Sequence, residues 1–310
     1  MDMDAYYGAA AQLPAAISGA LLRIAEKAAQ SVTEIRLRSG RAITLSTAGG
    51  SLYITNDGAL LQAPAHNLLI TSHEMLSNCF HAVCGYSVHS FEASISNGFV
   101  PLPGGHRAGI CGTALTDKNG AFTVKNITSI NIRIARASFC RCDARIAALL
   151  DKTPVGLLLA GEPGSGKTTV LRGVAAALSE KGRRTAIVDE RFEIAPVEQA
   201  GFSSAVPQHC DVLSGYPKHV GMQHALRCLA PDVILCDEVG SVDDVAAIRQ
   251  AANAGVGMVA TIHAADAETL LRRPQYTEMV RSGVFGAVAF LKGKAVPGEI
   301  AEVVDAAYFV

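Results

Sequence analysis

The run Gly161-Glu162-Pro163-Gly164-Ser165-Gly166-Lys167-Thr168 restricts the fold of this 310-residue chain more than any other feature. It fits G-x-x-x-x-G-K-[ST], with an apolar run at 155–160 before it and an amphipathic stretch after it. Such a loop works between a strand and a helix. Its glycines let successive backbone N–H groups curl round phosphate oxygens, and the helix start adds its positive end. Strand, loop and helix in that order require an α/β domain. Lys167 is expected to span β- and γ-phosphates and Thr168 to offer its hydroxyl to Mg²⁺, so ATP and Mg²⁺ are the expected cofactors. The phosphate cradle is assigned to Gly161, Glu162, Pro163, Gly164, Ser165, Gly166, Lys167, Thr168 and Thr169.

Around the loop, continuous apolar strands are expected at 155–160, 185–189, 233–236, 257–262 and 287–291, alternating with helices. That pattern predicts a parallel sheet covered on both faces. Val170, Val174 and Leu178, with Leu171 and Ala175 beside them, form a helical stripe ended by Lys181-Gly182. Ser241 with Asp244 reads as a helix start and Gly255 as the matching stop.

The strand at 233–236 ends in Asp237-Glu238, an acidic motif in which Asp237 is expected to hold the Mg²⁺ water shell. A second charged strand end, Asp189-Glu190-Arg191, makes Glu190 and Glu238 rival general bases for an attacking water. Glu190 is slightly favoured, with Glu238 orienting the water; Asp189 and Glu193 are weaker candidates. The strand ending Ala260-Thr261-Ile262-His263-Ala264 places a histidine where it can contact a γ-phosphate or its water.

About 150 residues per domain makes two domains the natural division, and composition changes near residue 143. Residues 1–143 are expected to form a smaller α+β domain with a linker, and residues 144–310 the phosphate-loop domain, closing with a strand near 301–310. In the first half, alternation at 34–38 and 42–45 predicts hairpins, while 73–84 has helical spacing. Arg107 follows a Pro/Gly turn, and Arg133, Arg136 and Arg141 cross the end of this half. Guanidinium groups there, Arg107 and Arg133 foremost, can reach phosphates in the same or a neighbouring subunit. Arg227 is a further candidate for a subunit contact.

Charges balance at 27 Lys+Arg against 28 Asp+Glu, so no global field draws the chain to nucleic acid or anionic membrane. No run approaches the length of a spanning helix, and the opening MDMDAYYGAAAQ lacks a signal-peptide pattern, so a soluble, unexported chain is expected. Eight cysteines at irregular spacing contain no CxxC pair. Cys140 and Cys142, separated by one Arg, make poor zinc ligands, and reduced thiols in a cytoplasm are expected.

The ordered set of phosphate loop, DER box, DE strand and TIHA strand resembles the secretion ATPase superfamily of type II and type IV secretion and pilus motors. Within it, EIRLRSGR (34–41), GFVPLPGGHR (98–107), SINIRIA (129–135) and LLRRP (270–274) resemble most the sporulation stage III AA family of endospore-forming bacteria. The resemblance implies a sensor-like N-terminal domain, a RecA-like C-terminal domain and hexameric rings binding ATP between the two. It also implies that Asp189-Glu190 match an aspartate box, Asp237-Glu238 the second acidic motif and His263 a histidine box. The implied role is a motor that powers a mother-cell-to-forespore channel, acting at the cytoplasmic face of a membrane channel complex. Many superfamily members carry Gly where this chain has Asp237. Their Leu-Arg-x-Arg-Pro-Asp phrase loses one arginine here, at 226–232, and their tetracysteine zinc insertion has no counterpart. Two other functions compete: a nucleic-acid translocase on the same core, and a slow nucleotide-dependent assembly switch. Against the translocase stand the charge balance, the lack of Trp and the lack of an aromatic stacking cluster, so no nucleic-acid partner is expected.

Overall fold

The computed structural model describes residues 5–116, 122–136, 141–195, 197–198, 201–202 and 206–309. Cys140 and Val310, which figure in the sequence reading, lie outside them. The chain divides into two compact units, Met1–Arg136 with Val197–Gly201, and Ala137–Pro196 with Phe202–Val310.

The first unit runs α1 (Ala5–Ala10), α2 (Ala15–Leu21), α3 (Glu26–Ala29), β1 (Val32–Arg38), β2 (Arg41–Ala42), β3 (Thr44–Thr47), β4 (Gly50–Ile54), β5 (Leu60–Leu61), β6 (Ile70–Thr71), α4 (His73–Val83), α5 (Glu92–Ser96), β7 (Phe99–Pro101), β8 (Arg107–Thr116) and β9 (Phe122–Arg133). Its main sheet has the order β5-β4-β3-β1-β9-β8-β7, and every pairing in it is antiparallel. Alternation sets the two faces. Ile35 and Leu37 lie opposite Ile132 and Ile130, which lie opposite Ala108 and Ile110, and all six are buried. The intervening Glu34, Arg36, Asn131 and Arg133 fall on the other face.

Helices α1 to α3 are additions to the one helix expected at 73–84. They span only 6, 7 and 4 residues, too few for a periodic apolar stripe to show in the sequence. Burial holds them instead: Tyr6, Ile17 and Leu21 are fully enclosed, and Tyr6 Oη donates to the Leu21 carbonyl at 3.1 Å.

In the second unit the elements are α6 (Ala144–Leu149), β10 (Gly156–Ala160), α7 (Lys167–Glu180), β11 (Thr185–Asp189), β14 (Cys210–Ser214), α8 (Lys218–Cys228), β15 (Val233–Cys236), α9 (Val242–Asn253), β16 (Gly257–Ile262), α10 (Ala267–Leu271), α11 (Pro274–Arg281), β17 (Ala287–Leu291) and β18 (Ile300–Asp305). Between β11 and β14, β12 (Val197–Glu198) and β13 (Gly201–Phe202) pair with each other. The seven-stranded sheet is ordered β14-β11-β15-β16-β10-β17-β18. Its first six strands are parallel, whereas β18 is antiparallel to β17. That departs from a purely parallel sheet for a simple reason: the connection at 292–299 is too short for a crossover and makes a hairpin. Leu157, Leu159 and Leu235 pack against Val170, Val174 and Leu178 of α7 on one face. Leu158, Ile234 and Ile262 pack toward Met222 of α8, Ile248 of α9 and Met279 of α11 on the other. Ser241 and Asp244 form a reciprocal capping box at the start of α9.

Among the described residues, Cys79, Cys84, Cys111, Cys210, Cys228 and Cys236 are free thiols. No helix among them is long and apolar enough to cross a membrane.

His106 closes the GFVPLPGGHR phrase inside the first unit. It is 3% exposed, and its Nδ1 accepts the Ala135 N–H at 3.0 Å. Nearby, Arg136 donates to the carbonyls of Val32 at 2.7 Å and Ala29 at 2.9 Å, which ties the end of this unit's last strand region to its first. Burial, helped by the Arg136 charge, pushes the imidazole down from 6.5 to about 4. Between those values the unfolded chain binds the extra proton, so stability should fall as pH drops from about 6.5 to about 4, by up to about 3 kcal/mol. Urea midpoints measured across that range should fall less steeply for His106→Gln than for the parent. An equal fall in both would exclude His106 as the source.

Candidate functional site

Strands β15, β16 and β10 are neighbours, and their parallel register brings three segments out at one edge of the sheet. Leu159 lies opposite Thr261, Ala160 opposite Ile262, and Cys236 opposite Ala260. The phosphate loop, the Asp237-Glu238 pair and the Thr261-Ile262-His263 run therefore leave the carboxyl ends side by side, where parallel sheets gather ligands.

Asp237 is only 9% exposed and accepts three hydrogen bonds. Its carboxylate accepts from the Thr168 hydroxyl at 2.7 Å, the Glu238 N–H at 3.0 Å and the Thr261 hydroxyl. Thr261 in turn accepts the Glu238 N–H at 2.8 Å. These bonds hold Glu238 at φ +49°, a left-handed conformation that costs a non-glycine residue energy and persists only where its surroundings fix it.

Lys167, the first residue of α7, is buried and uses its three N–H donors on the carbonyls of Gly161 at 2.9 Å and Glu162 at 3.0 Å and on His263 Nδ1 at 3.1 Å. An ammonium has no acceptor, so Nδ1 accepts and the ring proton sits on Nε2. Nε2 then faces Glu238 Oε1 at 2.9 Å, and Arg191 pairs with the other oxygen of that carboxylate. Burial lowers the Lys167 ammonium, opposed by the charges of Asp237, Glu238 and Glu193. Burial would raise the Glu238 carboxyl, but Arg191, His263 and Lys167 together hold it below its ordinary range.

Glu190 has its own partner, Lys218 at the start of α8, whose side chain is 12% exposed. Burial works against that ammonium, and the Glu190 carboxylate more than compensates, leaving its pKa raised. Asp189 does different work. Its carboxylate is 2% exposed and accepts the N–H groups of Glu193, Ile194 and Ala195 at 2.8–2.9 Å, which shapes the loop after β11. Arg172 of α7 fastens the same loop through the Ile194 carbonyl at 2.9 Å and the Glu193 carbonyl. Thr261, Lys218 and Arg172 were absent from the sequence-derived candidates. Thr261 could have been found as the hydroxyl one step inside the strand end that carries His263; Lys218 and Arg172 had no local signal.

The loop fits a polyphosphate. Gly164 and Gly166 hold φ +81° and +90°, conformations open to glycine, and Ser165 Oγ is buried with no hydrogen-bond partner among the described residues. Glu162, Pro163 and Gly164 are exposed along its rim. The Thr168 hydroxyl and the Asp237 carboxylate supply hard oxygen donors of the kind Mg²⁺ takes. Arg107 and Arg133 of the first unit are directly opposite each other on β8 and β9, Arg133 also faces Glu34, and the Arg107 guanidinium lies 4.3 Å over the Phe99 ring. Arg141 and Arg227 are exposed, the latter in the last turn of α8.

A family model described as "Sporulation stage III, protein AA" matches residues 10–308. The "Stage III sporulation protein AA" of Bacillus subtilis (strain 168) is 31% identical over 304 residues, covering 94% of this chain and 93% of that protein. Among solved structures, the Legionella pneumophila ATPase DotB aligns with TM-score 0.53 at 17% identity, over 84% of this chain and 72% of its own. The pilus retraction motor PilT with bound ADP aligns with TM-score 0.53 at 16% identity, over 84% and 74%. At such identities the likeness to the two ATPases establishes a shared fold.

Thr261→Val keeps the shape of the residue and removes the hydroxyl that joins Asp237 to the Glu238 backbone. It should destabilise the protein by about 1–3 kcal/mol, because Asp237 loses a donor inside the protein. Urea unfolding measures this, and a midpoint equal to the parent's would mean that the hydroxyl bears none of the load.

Proposed function

The chain belongs to the sporulation stage III, protein AA family, and on that premise we propose that it is an ATPase motor of the secretion type, with a RecA-like catalytic domain. The observation that carries this reading is the continuous array Lys167–His263–Glu238–Arg191 beside the Thr168–Asp237 pair, all at the carboxyl ends of neighbouring parallel strands. A phosphate loop alone binds nucleotide. Joined through a histidine to a strained acidic residue, it has the parts for hydrolysis.

In this reading MgATP supplies the γ-phosphoryl group and a cation that neutralises charge on it. The N–H groups of the loop and of the first turn of α7 bind the phosphates, and Lys167 turns from its carbonyl partners toward them. Thr168 and Asp237 would hold the cation. Glu190 would take a proton from water and Glu238 would orient that water, a reading supported by the cation that each carboxylate has of its own, Lys218 and Arg191. His263 touches both Lys167 and Glu238, so a change in the Lys167 partnership is felt at the acidic residue.

The family membership supports a sporulation role, which we assign to powering a mother-cell-to-forespore channel from its cytoplasmic face. We also assign a homo-oligomeric, hexameric ring in which Arg107 and Arg133 reach phosphates held by a neighbouring subunit.

Hydrolysis of MgATP per chain should climb with protein concentration and vanish in Lys167→Ala, with the urea midpoint of that variant checking that it is folded. A rate that is flat across concentration excludes completion of the site between subunits under those conditions. A parent rate no higher than that of Lys167→Ala removes the motor assignment.

A further inference from the structure

The hairpin loop at 292–299, between β17 and β18, is built onto the phosphate loop. The Gly298 N–H donates to the Ser165 carbonyl at 2.8 Å, and a Cβ on Gly166 would run into the backbone of Pro297 and Gly298. A Cβ on Gly164 would lie 3.6–3.8 Å from three side-chain carbons of Lys294, so the Lys294 stem packs directly over the phosphate loop's exposed rim. A Cβ on Gly293 would likewise lie 3.9 Å from Glu162 Oε2. The glycines of the motif thus serve a second purpose besides reaching phosphate: they admit another segment of backbone.

The loop carries two lysines with different fates. Lys292 is held by Glu299, 2.9 Å away, while the Lys294 ammonium makes no hydrogen bond or ion pair with any described residue. A flexible lysine whose stem is anchored on Gly164 and whose charge is uncommitted sits within reach of whatever the loop binds. We infer that the 292–299 loop is a wall of the nucleotide site and that Lys294 brings a second ammonium, besides Lys167, to the phosphate tail. This rests on the nucleotide-binding reading above. Nothing in the GxxxxGKT pattern points to it, because Lys294 stands far along the chain from the loop it covers.

Calorimetric titration of the full chain with ATP and with AMP tests this without relying on turnover. One ammonium beside a phosphate charge in a water-exposed site is worth about fivefold in affinity. Lys294→Ala should therefore bind ATP about fivefold more weakly than the parent, with a smaller loss for AMP. Lys294→Arg should restore most of the affinity, and raised salt should shrink the difference between parent and Lys294→Ala. Unchanged ATP affinity in Lys294→Ala, or an equal loss for AMP and ATP, overturns the assignment. Absence of ATP binding by the parent overturns the nucleotide reading itself and this inference with it, whereas Lys167-dependent ATP binding that ignores Lys294 overturns this inference alone.

Discussion

One buried carboxylate, Asp237, fixes the relative positions of three segments that are far apart in sequence. A charge with so little exposure must be satisfied by donors, and its three come from the start of α7, the end of β16 and the residue that follows it. Thr168 cannot drift from the sheet edge without stranding it, and neither can Thr261. The unusual backbone of Glu238 is a consequence, because the two acceptors of its N–H, Asp237 and Thr261, are also the groups that bind each other. The contact from Glu238 to His263, and from there to Lys167, depends in turn on that backbone.

The parallel strands were legible because a strand buried on both faces must be apolar throughout. The runs at 185–189, 233–236, 257–262 and 287–291 coincide with β11, β15, β16 and β17. β14 escaped notice for the converse reason: at the sheet edge none of its residues is buried, and its sequence CDVLS carries no continuous apolar signal. The phosphate loop, Asp237, Glu238 and His263 could be read from local pattern, and the structure brings them together. Their supports could not. Thr261 meets Asp237 across 24 residues, and Lys218 meets Glu190 across 28, so both pairings exist only once the strands have been ordered. The phrases in the first half carried the family resemblance, and the match over residues 10–308 agrees with it.

Several charged residues turn out to serve architecture. Asp189, weighed as a base from sequence, is occupied by three backbone N–H groups, and Arg136 donates to two carbonyls of the first unit. A strand end rich in charge therefore contains both groups that build the loop and groups that face out of it, and only hydrogen-bond partners separate them. Glu190, immediately after Asp189, is of the second kind: its partner is a side chain from another element rather than the local backbone.

The five residues Val197–Gly201 belong with the first unit although the chain around them belongs to the second. The polypeptide thus passes between the units three times. Neither unit corresponds to one uninterrupted stretch of gene: a fragment ending at Arg136 would lack part of the unit it is meant to represent, and the remainder would carry a segment that groups with the other unit. Dissection of this protein by truncation is poorly matched to its covalent layout, and a cut that respects both units would have to be made in three places at once.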